Sequence, residues 1–362
     1  MTEQPTFQPY WASAPGDTIR DLLEETGLSQ SEFAAKIGEA QEFVEQLISG
    51  AILVTEEIAR QLESAFGMPA TFWLRREAAY RASLLRRETF ESAEAKAAWL
   101  HSLPTKDMIR FGWLPALPSD VDAAVSVCLR FFDEPDLSSW QGAYSHNAPL
   151  AAYKTSRAFD THATALAAWL RQAEVEGHAV DCAPWNADRF RAAMPAIRAL
   201  TKIKDPAMFL SELRKLCAAC GVAAVVVRAP AGCRASGATR FLSPEKALLV
   251  LSFRYLSDDH FWFTFFHEAG HLLLHGDAST FLEGIDGDMD KAETEANTFA
   301  AQTLIPAEFE SDMIGLRVDA REVVRFATRV GVSPGIVVGQ LQHRGRFTRR
   351  QLNDLKRRFT WT

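Results

Sequence analysis

The chain lacks the features that mark membrane and exported proteins. It contains no run of about 18 consecutive apolar residues, the length that a membrane-spanning helix requires. Its N-terminus, MTEQPTFQPYWASAPGD, does not follow the basic, apolar and small-residue order of a signal peptide. Internal repeats and low-complexity tracts are missing as well. On these grounds we expect a cytoplasmic protein without a membrane partner.

Cysteine is also scarce, with five in 362 residues. So few cysteines in so long a chain argue against a disulfide framework and favour reduced thiols. Cys217 and Cys220 form a Cys-x-x-Cys pair, but no second pair completes a metal site. Two small buried residues are therefore the simpler interpretation of this pair.

Length and charge indicate several folded units with different surfaces. A chain of 362 residues exceeds what one hydrophobic core ordinarily supports, so we expect two or three domains. The net charge is −7, but residues 1–80 carry five Lys/Arg against thirteen Asp/Glu, whereas residues 307–362 carry eleven against six. Such asymmetry bears on the partners of each region rather than on its fold.

Residues 16–74 have the pattern of short helices joined by tight turns. Ser29 stands at an N-cap position with Glu32 in the capping-box position, and Gly27 and Gly38 stand where helices would end. Helix, glycine turn and helix form the layout of a helix-turn-helix. The segments PGDTIRDLLEETGLSQSEFAAKIG and ISGAILVTEEIARQLESAFGMPATFWL resemble the helix-turn-helix antitoxins and XRE-type repressors.

The predicted recognition helix, residues 39–47, does not favour DNA. It carries three glutamates and no lysine or arginine, and a net charge of −8 over residues 1–80 would repel phosphates. Amide side chains at Gln30, Gln41 and Gln46 could still form hydrogen bonds with bases. DNA binding, homodimerisation and docking on another protein therefore all stay open for this domain.

The strongest chemical signal lies in FTFFHEAGHLLLH, residues 263–275. His267 and His271 stand four residues apart, hence one turn apart on one face of a helix, where two imidazoles can bind one Zn²⁺. Glu268 lies beside them, where it can take a proton from a metal-bound water. Aromatic neighbours make the helix apolar nearly all round, and a buried helix carries such polar groups at a cost unless a metal satisfies them.

A catalytic zinc ordinarily takes three protein ligands and keeps a fourth position for water. The next predicted helix, residues 292–304, offers two carboxylates, Glu293 and Glu295. Glu293 shares a helix face with Asn297, so it could bind the metal while Asn297 holds a ligating histidine. Glu295 would then point away, and Glu293 is the preferred third ligand.

HEAGHLLLH followed by ETEANTFAAQTLIP resembles the ImmA/IrrE family of zinc metallopeptidases over about residues 185–310. The resemblance implies a gluzincin-like fold with one zinc per chain. It assigns His267, His271 and Glu293 as ligands and Glu268 as the general base. Family members typically cleave or inactivate a repressor during stress, phage induction or transfer of mobile elements.

The resemblance thus implies a zinc endopeptidase that acts on a regulatory protein of the repressor or antitoxin type. The alternative is a non-proteolytic DNA-binding regulator, or an antitoxin-like protein, in which the zinc domain senses a signal. A substitution of Glu268, the general base that the resemblance implies, would separate the two hypotheses if it leaves the zinc in place.

Three further side chains are weaker candidates for a role at this site. Cys233 lies in a loop before a predicted edge strand, where its thiolate could take the water position of zinc as a regulatory switch, although loop filler is the simpler interpretation. His275, one turn beyond His271, fits packing or capping better than ligation. His343 could contribute a hydrogen bond at the active site, but its sequence position gives no geometric argument.

The C-terminal run from residue 344 to 358 is basic, with aromatic residues interleaved. Arg349, Arg350, Arg357 and Arg358 are candidates for nucleic-acid contacts. A solvated helix face, or an internal dock for the acidic N-terminal domain, is the alternative.

Together these patterns predict an α+β protein that is mostly helical. We expect a helix-turn-helix bundle at residues 1–82, a helical connecting region at 83–184, a zincin-like peptidase domain at 185–310 and a basic helical segment at 311–362. Runs rich in β-branched residues predict a small sheet from strands at 222–227, 237–241 and 247–252.

Overall fold

The computed structural model describes residues 13–90, 92–144, 163–275 and 286–360. The helices, in chain order, are α1 (Pro15–Thr26), α2 (Gln30–Ile37), α3 (Gln41–Ile48), α4 (Glu56–Phe66), α5 (Ala70–Phe90), α6 (Ala93–Ser102), α7 (Thr105–Arg110), α8 (Val121–Phe132), α9 (Leu137–Tyr144), α10 (Ala163–Ala179), α11 (Ala187–Leu200), α12 (Pro206–Ala218), α13 (Asp258–Leu274), α14 (Asp286–Leu304), α15 (Glu310–Ile314), α16 (Ala320–Val330) and α17 (Pro334–His343). The strands are β1 (Val222–Val226), β2 (Gly237–Ser243) and β3 (Lys246–Leu251). The predicted α+β, mostly helical fold class is confirmed.

Two compact units divide the chain. One is drawn from Met1–Leu100 and Pro118–Ala143, and the other from His101–Leu117 and Tyr144–Thr362. None of the helices in the described ranges combines the length and the apolar run that crossing a bilayer requires.

The first unit contains the predicted helix-turn-helix, formed by α2 and α3. The Ser29 hydroxyl accepts a hydrogen bond from the backbone N–H of Glu32, whose carboxylate accepts one from the backbone N–H of Ser29. This reciprocal capping box begins α2, and Gly38 ends it in the left-handed conformation that glycine adopts without strain. Phe33 and Leu47 pack in the core of this domain and hold the two helices together.

A three-stranded sheet organises the second unit. The strand order is β1–β3–β2, with β1 parallel and β2 antiparallel to β3, so β2 lies at an edge. Alternate residues of β3 face opposite sides: Leu248 joins the hydrophobic cluster that includes Trp169 of α10, and Leu249 joins the cluster that includes α13. α13, which carries the predicted metal ligands His267 and His271 and is here called the metal helix, thus lies on one face of the sheet. α10 lies on the other.

The predicted domain boundaries at residues 184 and 310 do not coincide with these packing units. Trp169, placed in the connecting region, is fully buried with residues of the sheet. Val337 and Phe359, placed in a separate C-terminal segment, share the core of Trp262 on α13. The segment after residue 310 is therefore part of the domain that carries the metal helix, because its apolar residues complete that core.

Two aspartates in the first turn of α13 hold the end of the chain against this helix. Asp258 is fully buried, and its carboxylate accepts hydrogen bonds from the Ser333 hydroxyl at 2.7 Å and from the backbone N–H of Arg357 at 3.0 Å. Burial raises the pKa of Asp258, although the Ser333 hydrogen bond opposes that effect. A carboxylate is also favoured at the N-terminus of a helix.

The neighbouring Asp259 forms a buried ion pair with Lys356. The nitrogen lies 2.6 Å from the carboxylate oxygen, and the two side chains are only 8% and 7% exposed. Lys356 also donates a hydrogen bond to the Gln342 side chain at 2.8 Å. A charge pair removed from water in this way ties residues 356–358 to the start of the metal helix.

We expect Lys356→Met to destabilise the protein, because it leaves the Asp259 carboxylate buried without its cation. Removing one partner of a buried pair costs about 3–5 kcal/mol, which corresponds to a thermal midpoint roughly 10 °C lower. Adding Asp259→Leu should restore most of the loss, since replacing both partners by apolar residues is often tolerated.

Arg349→Met, at an exposed position of the same segment, is the matched control and should move the midpoint by less than about 2 °C. Differential scanning calorimetry of the four proteins measures these shifts. An unchanged midpoint in Lys356→Met would show that the ion pair does not hold the segment.

Candidate metal centre

Three side chains from two helices converge on one point. His267 and His271 lie one turn apart on α13, and their Nε2 atoms are 3.1 Å from each other. Glu293 of α14 places its carboxylate oxygens 3.4 Å from Nε2 of His267 and 3.5 Å from Nε2 of His271. These residues form a cluster with the ligand types and separations that a metal ion needs.

The dimensions of this cluster match zinc. Bonds of about 2.0–2.2 Å in a tetrahedral arrangement put the ligand atoms about 3.3–3.6 Å apart. The observed 3.1, 3.4 and 3.5 Å edges lie close to that range. Two imidazoles and one carboxylate are a donor set that zinc accepts, and they leave a fourth position free for water. The Glu293 side chain is 43% exposed, so the cluster opens to solvent on that side.

Asn297 fixes the orientation of the first histidine. Its side-chain oxygen lies 3.1 Å from Nδ1 of His267 and accepts a hydrogen bond when that nitrogen is protonated. Protonation at Nδ1 leaves the lone pair of Nε2 directed at the cluster, which is the tautomer that a metal requires. Asn297 and Glu293 therefore act from one face of α14, as their spacing of four residues predicts.

The protonation state of Glu293 suits a ligand. Burial alone would raise its pKa, but the contacts with Nε2 of His267 and His271, which are hydrogen bonds when those nitrogens carry a proton, outweigh burial and lower the pKa to about 2. Glu295 instead lies 3.0 Å from Nε2 of His275. The structure thus brings Glu293 to the two histidines, while His275 and Glu295 pair with each other one turn further along.

Glu268 lies beside the cluster but is not one of its three corners. It is buried, and burial raises the pKa of its carboxyl group. The Thr239 hydroxyl of β2 donates a hydrogen bond to it at 3.4 Å. Gly237 passes so close that a Cβ there would lie 2.8 Å from Cγ of Glu268. The edge strand therefore packs directly against this carboxylate.

Sequence reasoning did not identify Gly237 and Thr239 as parts of the site. A glycine and a small hydroxyl residue at the start of a predicted edge strand were the available signal. Only the contact between β2 and α13 in the structure shows their role. No local periodicity links residues that lie about thirty positions apart in the chain.

The structure does not bring Cys233 to the metal cluster. It is buried with Ala238 and Val250 in the cluster on the α10 face of the sheet, whereas α13 packs on the other face. Burial raises the pKa of the Cys233 thiol to about 11, so the thiolate that binds metals is disfavoured. Both observations argue against the regulatory-thiol hypothesis and favour a packing role.

The four C-terminal arginines do not act alike. The Arg357 guanidinium donates to the backbone carbonyls of Thr201 and Ile203 at 2.8 and 3.0 Å, so its prediction as a nucleic-acid contact is corrected to an internal tie. Arg358 is exposed and donates to the Tyr255 carbonyl at 3.3 Å. The other two candidates are exposed at the surface, at Arg349 and Arg350.

The candidate DNA-contacting amides are exposed on the helix-turn-helix, at Gln30, Gln41 and Gln46. Gln41 begins α3 and donates a hydrogen bond to the Glu45 carboxylate at 3.1 Å. Glu42 and Glu45 are exposed on the same helix. The electrostatic obstacle to phosphate binding that the sequence predicts is thus present on the surface of α3.

Comparison with known families agrees with this geometry. Residues 222–342 match the model of the IrrE N-terminal-like domain of the peptidase M78 family, a span that runs from β1 to α17 and contains the whole cluster. Residues 19–73 match a helix-turn-helix family. No curated protein matches the chain. The chain therefore carries an IrrE N-terminal-like domain of a metallopeptidase family together with an XRE-type helix-turn-helix domain.

Proposed function

We propose that this protein is a zinc-dependent endopeptidase that cleaves a regulatory protein of the repressor or antitoxin type and binds one zinc per chain. The observation that carries the proposal is the triangle of His267, His271 and Glu293, whose edges fit a tetrahedral zinc. Glu268 beside this triangle supplies the group that hydrolysis needs. A role in a stress or mobile-element response belongs to the same proposal and rests on the family resemblance.

A zinc ion bound by these residues would polarise a peptide carbonyl and acidify a water. The Glu268 carboxylate would take one proton from that water as its oxygen bonds to the carbonyl carbon, and would deliver this proton to the nitrogen as the C–N bond breaks. Its hydrogen bond from Thr239 holds the carboxylate in place. Asn297 keeps His267 in the tautomer that exposes Nε2 to the metal.

The edge strand supports a peptide as the substrate. Within the part of the chain that the structure describes, β2 pairs with β3 on one side only, so its other side offers backbone N–H and C=O groups beside Glu268. An extended peptide can add to such an edge as a further strand. This arrangement would carry a scissile bond along the cluster.

The non-proteolytic alternative is a DNA-binding regulator in which the zinc domain is a sensor. The helix-turn-helix match favours it, because this fold commonly reads DNA. The acidic surface of α3 opposes it. The helix-turn-helix is equally suited to dimerisation or to docking of the protein substrate, and the DNA titration below tests its DNA-binding role.

The first expected outcome concerns the ligands. Full-length protein should bind about one zinc per chain, and His267→Ala or His271→Ala should largely abolish binding. Glu293→Ala should weaken zinc affinity by more than about 100-fold, and Asn297→Ala by about 10–100-fold. Competition titration against a chromophoric chelator measures each value.

Glu295→Ala is the matched control, because it removes the same chemical group two positions away on the same helix. Its pairing with His275 predicts a change of less than about threefold in zinc affinity. A larger loss from Glu295→Ala than from Glu293→Ala would place the third ligand on the other face of α14.

A second outcome separates the peptidase from the sensor. Glu268→Gln keeps the size of the side chain and leaves all three ligands in place, so zinc should stay bound while cleavage falls by at least about 100-fold. Quantitative proteomics of a deletion strain that expresses either form would show which regulatory protein accumulates.

Glu308→Gln, an exposed substitution of the same type, should behave as wild type. If Glu268→Gln restored every phenotype of the deletion strain, the zinc domain would be a sensor or scaffold and the peptidase proposal would fail.

A third outcome concerns DNA. We expect the full-length protein to bind DNA weakly and without sequence preference, because Glu42 and Glu45 are exposed on the recognition helix. Charge reversal at Arg349 and Arg350 should then reduce affinity more than replacing Gln41 by alanine. Fluorescence anisotropy at about 50 and 200 mM salt tests this. Tight, sequence-specific binding that Gln41→Ala abolishes would support the repressor interpretation.

A further inference from the structure

A cavity of about 690 Å³ lies between α13, α14 and α17, within the second unit. Phe263 of α13, Ala301 of α14, Ile305 directly after α14, and Ile336 and Gly339 of α17 line it. Cavities of about 300–1,000 Å³ are typical of sites that enclose a small organic ligand. The space is therefore large enough for a bulky side chain with part of its flanking backbone.

The cavity adjoins the metal cluster. Asn297, which holds Nδ1 of His267, is one of its lining residues. Phe263 is another, and the centre of its ring lies 6.4 Å from that of His267. Asn297 and Phe263 thus line the cavity and also lie against the His267 ring, which places the cavity next to the metal cluster.

The walls favour a neutral and apolar occupant. Phe263, Met313 and Ile336 are apolar, and each of the two acidic lining residues is paired with a cation of the protein. Asp259 is paired with Lys356 at 2.6 Å, and Glu310 accepts a hydrogen bond from Arg344. A charged ligand would have to leave water for a space where the two acids and Arg344, which also lines it, are already paired, whereas an apolar group gains from burial.

A polar group marks the mouth of the cavity. His343 is exposed, lines the space and lies 6.4 Å, ring centre to ring centre, from Phe263. The Phe263 ring is therefore equally close to His267 and His343. An imidazole in this position can form a hydrogen bond with the backbone of a chain whose side chain occupies the apolar interior.

We propose that this cavity is a specificity pocket, and that it receives a bulky aliphatic or aromatic side chain of the substrate residue next to the scissile bond. The proposal rests on the peptidase function above and adds the substrate class. Ala301 is the position to enlarge in a test of the pocket, because it is the smallest side chain of α14 that lines the cavity. Phenylalanine at position 301 should fill it.

Two hydroxamates test the pocket without a known substrate. Acetohydroxamic acid and 3-phenylpropanohydroxamic acid share the metal-binding group and differ by one benzyl group. Isothermal titration calorimetry of the zinc-loaded full-length protein should show at least about tenfold tighter binding of the phenyl compound. Ala301→Phe should reduce this advantage below about threefold and leave acetohydroxamic acid unaffected.

Lys291→Phe is the control, because it adds the same ring to an exposed position of α14 outside the cavity lining and should keep the full advantage. The pocket proposal fails if both compounds bind but the phenyl group adds nothing in wild type, or adds as much in Ala301→Phe. Succinic monohydroxamic acid, which carries a carboxylate, would overturn the apolar assignment if it gained as much as the phenyl compound. If zinc is bound and neither compound binds, the peptidase proposal itself fails.

Discussion

The near-complete burial of one helix is the constraint on which the site depends. α13 packs on the sheet, α14 and α17, and its aromatic residues Trp262, Phe265 and Phe266 are buried. Close packing on so many sides leaves the helix little freedom to rotate. A Cβ at Gly270 would lie 3.2 Å from Cα of Ala296, so α13 and α14 approach closely at this point. That approach is what puts the Glu293 carboxylate within 3.4 and 3.5 Å of the two histidines.

Burial of this helix also removes polar groups from water, so these groups need partners within the protein. The two ends of the helix provide such partners in different ways. At the N-terminal end, Asp258 and Asp259 are satisfied by groups of the protein, among them the Ser333 hydroxyl and the Lys356 ammonium. At the other end, two imidazoles and a carboxylate face one another and are satisfied best by a cation. The first arrangement stabilises the helix position, and the second is available for chemistry because its partner is exchangeable.

Local periodicity accounts for what could be predicted from the sequence. A spacing of four residues places His267 and His271 on one face, and the same spacing distinguishes Glu293 from Glu295. Contacts between distant segments lack such a signal. Asp258 and Arg357 are 99 residues apart, so the sequence alone predicts a surface cation at Arg357. In the structure its backbone N–H donates to Asp258 and its guanidinium to the Thr201 carbonyl. Likewise, the boundary expected at residue 310 followed the extent of the family resemblance and left out apolar residues further on that complete the core.

The C-terminal segment therefore influences the site through charge as well as through packing. Asp259 is at once the partner of Lys356 and a lining residue of the cavity beside the cluster. Without the Lys356 ammonium, that wall would present an unpaired carboxylate, which would favour a cation or water over an apolar side chain. With it, the wall is neutral and the space suits an apolar side chain. A basic run that suggests nucleic-acid binding when considered alone thus neutralises one wall of the cavity, and the character of that cavity depends on residues about a hundred positions from the metal helix.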